Sequence, residues 1–257
     1  MEIYDKKAAE LIERSYQTPE IINQRMRTLA ALALNDGESI LDAGCGTGLL
    51  LEMQAKAVDR QGRAEGIDFS EDMLDVARAR CAGFEQVSLQ QGNVEELGFE
   101  TETFDALSCT QTLLYVQKMD KALREMYRVL KPGGRIAIVE TDWDSAILHS
   151  GDQAITRKIF DAWDSAVVNP NLPRRLKPLL AGIGFSAIHV EAIPVLNASY
   201  STFSFSAGML DNFANTAIRQ EVITAGEAKT WLRDIEDLAR RGAYFFCVNR
   251  FLFSAVK

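Results

Sequence analysis

The stretch ILDAGCGTGLL, residues 40–50, constrains this chain more than any other. A short apolar run of strand character enters a turn with glycines at 44, 46 and 48, and an apolar run of helical character follows. Glycine permits the sharp turn, and it lets a ligand approach main-chain N–H groups where a side chain would collide. Asp68 closes the next apolar run, where a carboxylate can accept both hydroxyls of a ribose. Together these residues point to a cofactor of adenosine type.

The surrounding sequence alternates strand and helix. The runs 39–44, 64–68, 87–90, 104–109 and 135–140 read as strands, and Leu49–Val58, Ser70–Cys81 and Met119–Leu130 read as helices between them. That alternation predicts crossover units and a parallel sheet. In such sheets ligands bind beyond the carboxyl ends of the strands. Upstream, Thr18-Pro19 reads as a helix start, and the helix ends near Asn35-Asp36-Gly37. After Glu140, TDWDSAILH (141–149) reads as a loop leaving the fifth strand, followed by helices at 152–167 and 173–185 and a strand over 185–193. Asn197–Val222 follows no simple period. Thr224 and Glu227 form a capping box for a helix ending at Gly242, and the aromatic, β-branched end of the chain reads as a last strand.

Composition narrows the chemistry. Lys plus Arg number 28 against 36 Asp plus Glu, a formal net charge of −8. Docking on nucleic acid draws its affinity from neutralising phosphates, so this balance argues against it. No two of the four cysteines form a CxxC pair, and no metal site is expected. The charged start lacks the apolar stretch of a signal peptide, and no run reaches the roughly 18 apolar residues of a membrane span. A soluble cytoplasmic protein is the expectation.

Spacing separates the cofactors. Nicotinamide dinucleotide sites usually read GxGxxG, with amides facing an anionic pyrophosphate. Here the spacing is GxGxG, and Asp42 stands two residues before the first glycine. A carboxylate there repels a pyrophosphate and suits a ligand bearing an ammonium or a sulfonium. GxGxG with a preceding acid resembles motif I of the class I S-adenosylmethionine (SAM)-dependent methyltransferases. GIDFSEDML (66–74), GNVEELGF (92–99), FDALSCTQTLLYV (104–116) and LKPGGRIAIVE (130–140) continue the resemblance in order. It is strongest to the small-molecule branch with the ubiquinone- and menaquinone-biosynthesis enzymes, the type 11 methyltransferases. The fourth-strand motif lacks the (D/N)PPY of many DNA and protein amide N-methyltransferases.

The resemblance implies an α/β, Rossmann-like fold: a seven-stranded, mostly parallel sheet with one antiparallel strand (Ala243–Val256) and helices on both faces. It implies a single domain over 1–257, with an N-terminal helical cap (1–36), a cofactor-binding half (37–140) and an acceptor-side half (141–257) carrying a helical lid insertion. The cofactor would be SAM. Its expected contacts are the glycine loop (Asp42, Gly44, Gly46, Gly48), Asp68 on the ribose, and Phe69, Met73, Asn93 and Val94 near the adenine. Cys109 and Thr110 offer the carbonyls that hold the methionine ammonium, and Tyr16 and Arg25 fold over the cofactor, Arg25 toward its carboxylate. Asn93 replaces the family's usual Asp. On the acceptor side, His149 is the candidate general base and Tyr115 the candidate pocket residue. The partners implied are a small apolar or aromatic methyl acceptor, no nucleic acid, and at most a second copy of the chain as a homodimer. A nicotinamide oxidoreductase and a SAM-binding module without catalysis stay open on sequence alone.

Overall fold

The computed structural model describes residues 13 and 15–257; the charged start of the chain and the first part of the expected cap lie outside the described residues. Seven strands form one sheet: β1 (Ser39–Ala43), β2 (Arg63–Asp68), β3 (Val87–Gln91), β4 (Phe104–Thr110), β5 (Leu130–Leu148), β6 (Ser186–Asn197) and β7 (Phe246–Val256). Their order is β3-β2-β1-β4-β5-β7-β6. Every pairing from β3 to β5 is parallel, and β7 runs antiparallel to both β5 and β6. The expected sheet and its one reversed strand are both present. The strand order reverses between β1 and β4, and that switch point opens a crevice at the carboxyl ends of the strands.

Among the described residues from Pro19 onward, eight α-helices pack around the sheet: α1 (Pro19–Leu32), α2 (Leu49–Val58), α3 (Glu71–Cys81), α4 (Met119–Val129), α5 (Gln153–Ala166), α6 (Pro173–Ile183), α7 (Phe205–Arg219) and α8 (Ala225–Arg240). Leu32 of α1, Leu51, Ala55 and Val58 of α2 and Cys81 of α3 pack on one face with Ile40, Ala106 and Val139. Leu123 and Met126 of α4 and Leu176 and Leu180 of α6 pack on the other with Leu107, Ile136 and Ile138. Burial on both faces explains why the central strands read as unbroken apolar runs. A separate core joins α5, α7 and α8 to the far part of β5 and the first residues of β7, around Trp143, Phe160, Phe213, Trp231 and Phe246.

Three expectations need correction. TDWDSAILH is no loop: β5 continues to Leu148 and keeps pairing with β7, with a bulge between Asp142 and Ile147. The bulge is closed by Ser145, whose hydroxyl donates to the Asp142 carbonyl (2.6 Å) and accepts the Asn249 N–H (2.9 Å). β6 likewise runs past residue 193, to Asn197. The aperiodic stretch 197–222 holds α7, whose buried face includes Ser206, Ala214, Thr216 and Ala217 beside Phe205, Leu210 and Phe213. Small and hydroxylated residues on the inner face erased the apolar period. The Thr224–Glu227 capping box forms as expected.

Candidate cofactor and acceptor site

The glycine loop is built by backbone geometry. Gly44, Gly46 and Gly48 all have positive φ (80°, 54° and 77°). The N–H groups of Gly44 and Cys45 both donate to the Ile67 carbonyl, at 2.8 and 2.9 Å, which ties the loop to β2. A Cβ on Gly44 would lie 2.1 Å from Thr112 Oγ1, whereas a Cβ on Gly46 would meet nothing within 4 Å. Gly44 is therefore locked against the turn after β4, and Gly46 faces open space. Asp68, at the end of β2, accepts the Gly46 N–H (2.8 Å, Oδ2) and the Ser70 N–H (2.9 Å, Oδ1). Burial holds its carboxyl above the ordinary value, although those backbone N–H groups pull the other way.

Asp42 lies beneath this loop, 1% exposed. Its Oδ1 accepts the Ser108 hydroxyl at 2.6 Å, and Ser108 Oγ accepts the Gln54 amide at 2.7 Å. Burial, with the Asp68 charge adding to it, pushes the Asp42 carboxyl up to about 7. A carboxyl balanced between neutral and charged there responds to any cation arriving above it.

The end of β4 is the second wall. Gln111 adopts φ 54°, a left-handed conformation rare for a residue with a side chain, and its Oε1 accepts the Thr141 hydroxyl at 2.6 Å. Next to it the Thr112 and Leu113 N–H groups donate to Glu140 Oε1, at 3.1 and 2.8 Å. Burial pushes the Glu140 carboxyl up to about 8. Its Oε2 is buried with no hydrogen-bond partner among the described residues. Glu140 thereby fixes the turn that leads into the 3-10 helix Leu113–Tyr115.

From the N-terminal side, Arg25 is 9% exposed and donates from Nη1 to the Tyr16 carbonyl at 2.6 Å, and its buried Nε has no hydrogen-bond partner among the described residues. Burial and then the nearby Arg80 lower its pKa. Arg80 itself holds the loop, donating from Nε to the Thr47 carbonyl at 2.9 Å.

The sequence profile of a methyltransferase domain matches residues 34–179. The chain belongs to the methyltransferase-domain family. Enzymes of this family take their methyl group from SAM. The chain is 32% identical over 225 residues to an uncharacterized 37.1 kDa protein in a transposon of Streptomyces fradiae, covering 87% of this chain and 64% of that one. It is 41% identical over 117 residues to demethylmenaquinone methyltransferase of Staphylococcus aureus, covering 46% of this chain and 48% of the relative. The chain thus spans less than two thirds of either relative. Its fold is similar to that of phosphoethanolamine N-methyltransferase 2 of Haemonchus contortus, solved with SAM. That match has a TM-score of 0.65 at 22% identity over 99% of this chain and 57% of the other.

As a methyltransferase domain, the chain brings most of the residues named from sequence to the carboxyl ends of β1, β2 and β4. Asp42, Gly44, Gly46, Gly48, Asp68, Cys109 and Thr110 all stand there. Phe69 is exposed at the start of the β2–α3 turn and Met73 is buried in the first turn of α3. Val94 is buried in the core, while Asn93 turns its Oδ1 onto the Glu95 N–H at 2.9 Å, closing its own turn. Cys109 is wholly buried and its thiol is pushed well up by burial, which suits a wall and not a nucleophile. Tyr115 sits exposed on the 3-10 helix.

His149 is not brought to this site. It is exposed, its Nδ1 lies 2.8 Å from the Ala243 carbonyl, and its N–H donates to the Phe245 carbonyl. Thr141 pairs with Arg250, and His149 bonds Phe245, five residues earlier in the chain and about 17 Å away at strand spacing. The continued β5 carries it there. The sequence reading gave no role to Glu140 or Arg250, and it placed Gln111 with Cys109 and Thr110 at the end of the fourth strand, where backbone carbonyls hold an ammonium. A positive φ at glutamine leaves no sequence mark, but an arginine within the aromatic run of β7 was a legible signal.

Proposed function

We propose that this chain binds SAM at the glycine loop and transfers its methyl group to a small, apolar or aromatic acceptor. The observation that carries this reading is the Asp68 carboxylate, holding the N–H groups of Gly46 and Ser70 beside a Gly46 whose side-chain direction is open. A carboxylate fixed in that way keeps free lone pairs for two ribose hydroxyls. The remaining residues fit the rest of the cofactor. Asp42 supplies negative charge under an ammonium or a sulfonium, the carbonyls of Cys109 and Thr110 face the ammonium, and the orphaned Arg25 Nε suits a carboxylate. Phe69, Met73 and Val94 offer apolar surface to the adenine, and Asn93 reaches it only by giving up its bond to Glu95.

The cofactor supplies an electrophilic methyl group on a sulfonium. The chain's own work is positioning and exclusion of water: Glu140 and Thr141 set the β4 turn, and Tyr16 and the cap elements close the acceptor side. In this reading residues 37–140 hold the cofactor and 141–257 the acceptor, within one domain. No helix among the described residues is long and apolar enough to cross a membrane. The cytoplasm is the compartment proposed.

Calorimetric titration tests the assignment. S-adenosylhomocysteine should bind at micromolar concentration, about −8 kcal/mol at 1 μM. Binding of NAD without binding of S-adenosylhomocysteine overturns it.

A further inference from the structure

Arg250 stands in β7 opposite Thr141 of β5 and Ile193 of β6, and it is 1% exposed. Its Nη1 donates to the neutral Gln24 amide oxygen of α1. The guanidinium lies 4.8 Å from the Phe205 ring centroid and 5.7 Å from that of Tyr16. Its Nε is buried without a hydrogen-bond partner among the described residues. The acid acting on it through space is Glu140, which pairs with Phe251 and so faces the other side of the sheet. Glu140 spends Oε1 on the Thr112 and Leu113 N–H groups, so among the described residues no carboxylate hydrogen-bonds the guanidinium. Burial disfavours the cation most; Tyr16, which also hydrogen-bonds the Arg250 side chain, favours it ahead of Glu140, and Tyr115 follows. Amide dipoles, phenols and ring faces thus stabilise a cation that has left water, with one donor unused.

An arrangement of this kind costs stability. Its position says what it is for. Thr141, directly across from Arg250, holds Gln111 at the end of β4, and Glu140, one residue earlier, holds the turn after it. Arg250 is therefore level with the crevice on its acceptor side. The two rings over it come from the N-terminal segment and from the first residue of α7. Both covering elements lie outside the sheet, so a ligand reaches the buried guanidinium by displacing these two rings, with no strand broken.

We propose that Arg250 anchors the methyl acceptor, and that the acceptor is an aromatic or apolar molecule carrying an ionised oxygen, a carboxylate, phenolate or enolate, that accepts from Nε. The anion supplies the missing counter-charge, and the Phe205 and Tyr16 rings cover the apolar remainder. The inference rests on the methyltransferase reading and adds the charge of its substrate.

The test uses the full chain saturated with S-adenosylhomocysteine, whose own binding is measured first. Sodium benzoate and benzamide, nearly isosteric and differing in charge, are titrated at matched ionic strength. The 15N-labelled Arg250 Nε–H resonance, assigned by its loss in Arg250→Lys, is the readout. Benzoate should give a saturable shift, at least tenfold tighter than benzamide. In Arg250→Gln, calorimetry should bring the two probes within twofold. Arg250→Lys should keep the preference for benzoate if the glutamine variant fails to fold. No saturable shift with benzoate, or equal binding of benzamide to the natural protein, overturns the anchor. Failure of S-adenosylhomocysteine to bind overturns instead the methyltransferase reading beneath it.

Discussion

Gly44 and Gly46 share the sign of φ and differ in what surrounds them, which separates fold from ligand binding. At Gly44 any side chain meets Thr112 Oγ1, which belongs to the turn after β4. Gly44→Ala should therefore lower the melting temperature, at a cost of about 1–3 kcal/mol from strain before the clash is relieved. At Gly46 only the backbone conformation resists substitution, about 1–2 kcal/mol. Gly46→Ala, with strain but no clash, should melt above Gly44→Ala yet bind S-adenosylhomocysteine at least tenfold more weakly than the natural protein, because the methyl fills the ligand's space. Equal affinity in the Gly46 variant would place the cofactor elsewhere. Asp68 gives a parallel test. Its hydrogen bonds to ribose hydroxyls, at about 1.5–3 kcal/mol each for charged partners, set a loss of tenfold or more in Asp68→Ala, read by titration of a still-folded protein.

Pairing of β1 with β4 aligns Asp42 with Ser108, and α2 adds Gln54 beneath them, so three elements hold one buried carboxyl. Its pKa is about 7 in the folded chain against an ordinary value of 3.8. Between those values the unfolded chain has lost the proton and the folded chain keeps it. The stability this group contributes is full below the ordinary value and is lost as pH rises through 7. A bound ammonium or sulfonium favours the ionised form, so S-adenosylhomocysteine affinity should rise from pH 6 to pH 8 with release of a proton. Calorimetry in two buffers of different ionisation heat measures that release, and Asp42→Asn should abolish it. A natural protein with no proton release would remove Asp42 from the cofactor's field. The glycine loop, Asp68 and the first five strands were legible because each depends on local chemistry: a turn that only glycine makes, and short strand runs, the central ones buried on both faces, alternating with helices. The length of β5 was not, because Asp142, Asp144 and Ser145 look like loop residues until the bulge and the Arg174 pairs are known. The period of α7 was hidden for a related reason, since its inner face is partly serine, threonine and alanine.

At the scale of the whole molecule, the sheet serves two cores at opposite ends of its long strands. Packing around α1, α2, α3, α4 and α6 supports the glycine loop, and packing around α5, α7 and α8 supports the far part of β5. Phe213 shows the division. It is fully buried, with its ring centroid 5.0 Å from Trp163, 5.5 Å from Phe160 and 5.7 Å from Trp143. It falls in the aperiodic stretch 197–222 of the half expected to carry a lid, but four rings packed edge to face are a buried interior. Phe213→Ala should then cost about 3–5 kcal/mol, the range for a truncated buried aromatic, visible as a lower midpoint in denaturant. S-adenosylhomocysteine affinity of the folded variant should stay within about twofold, because no residue of that cluster belongs to the glycine loop or the end of β2. His149→Ala belongs to the same half and should leave both the pH–rate profile and the cofactor affinity unchanged, its ring being committed to the Ala243 carbonyl. Cofactor affinity falling in step with stability in Phe213→Ala would mean that the two cores are coupled through β5, and the division drawn here between cofactor and acceptor halves would be lost.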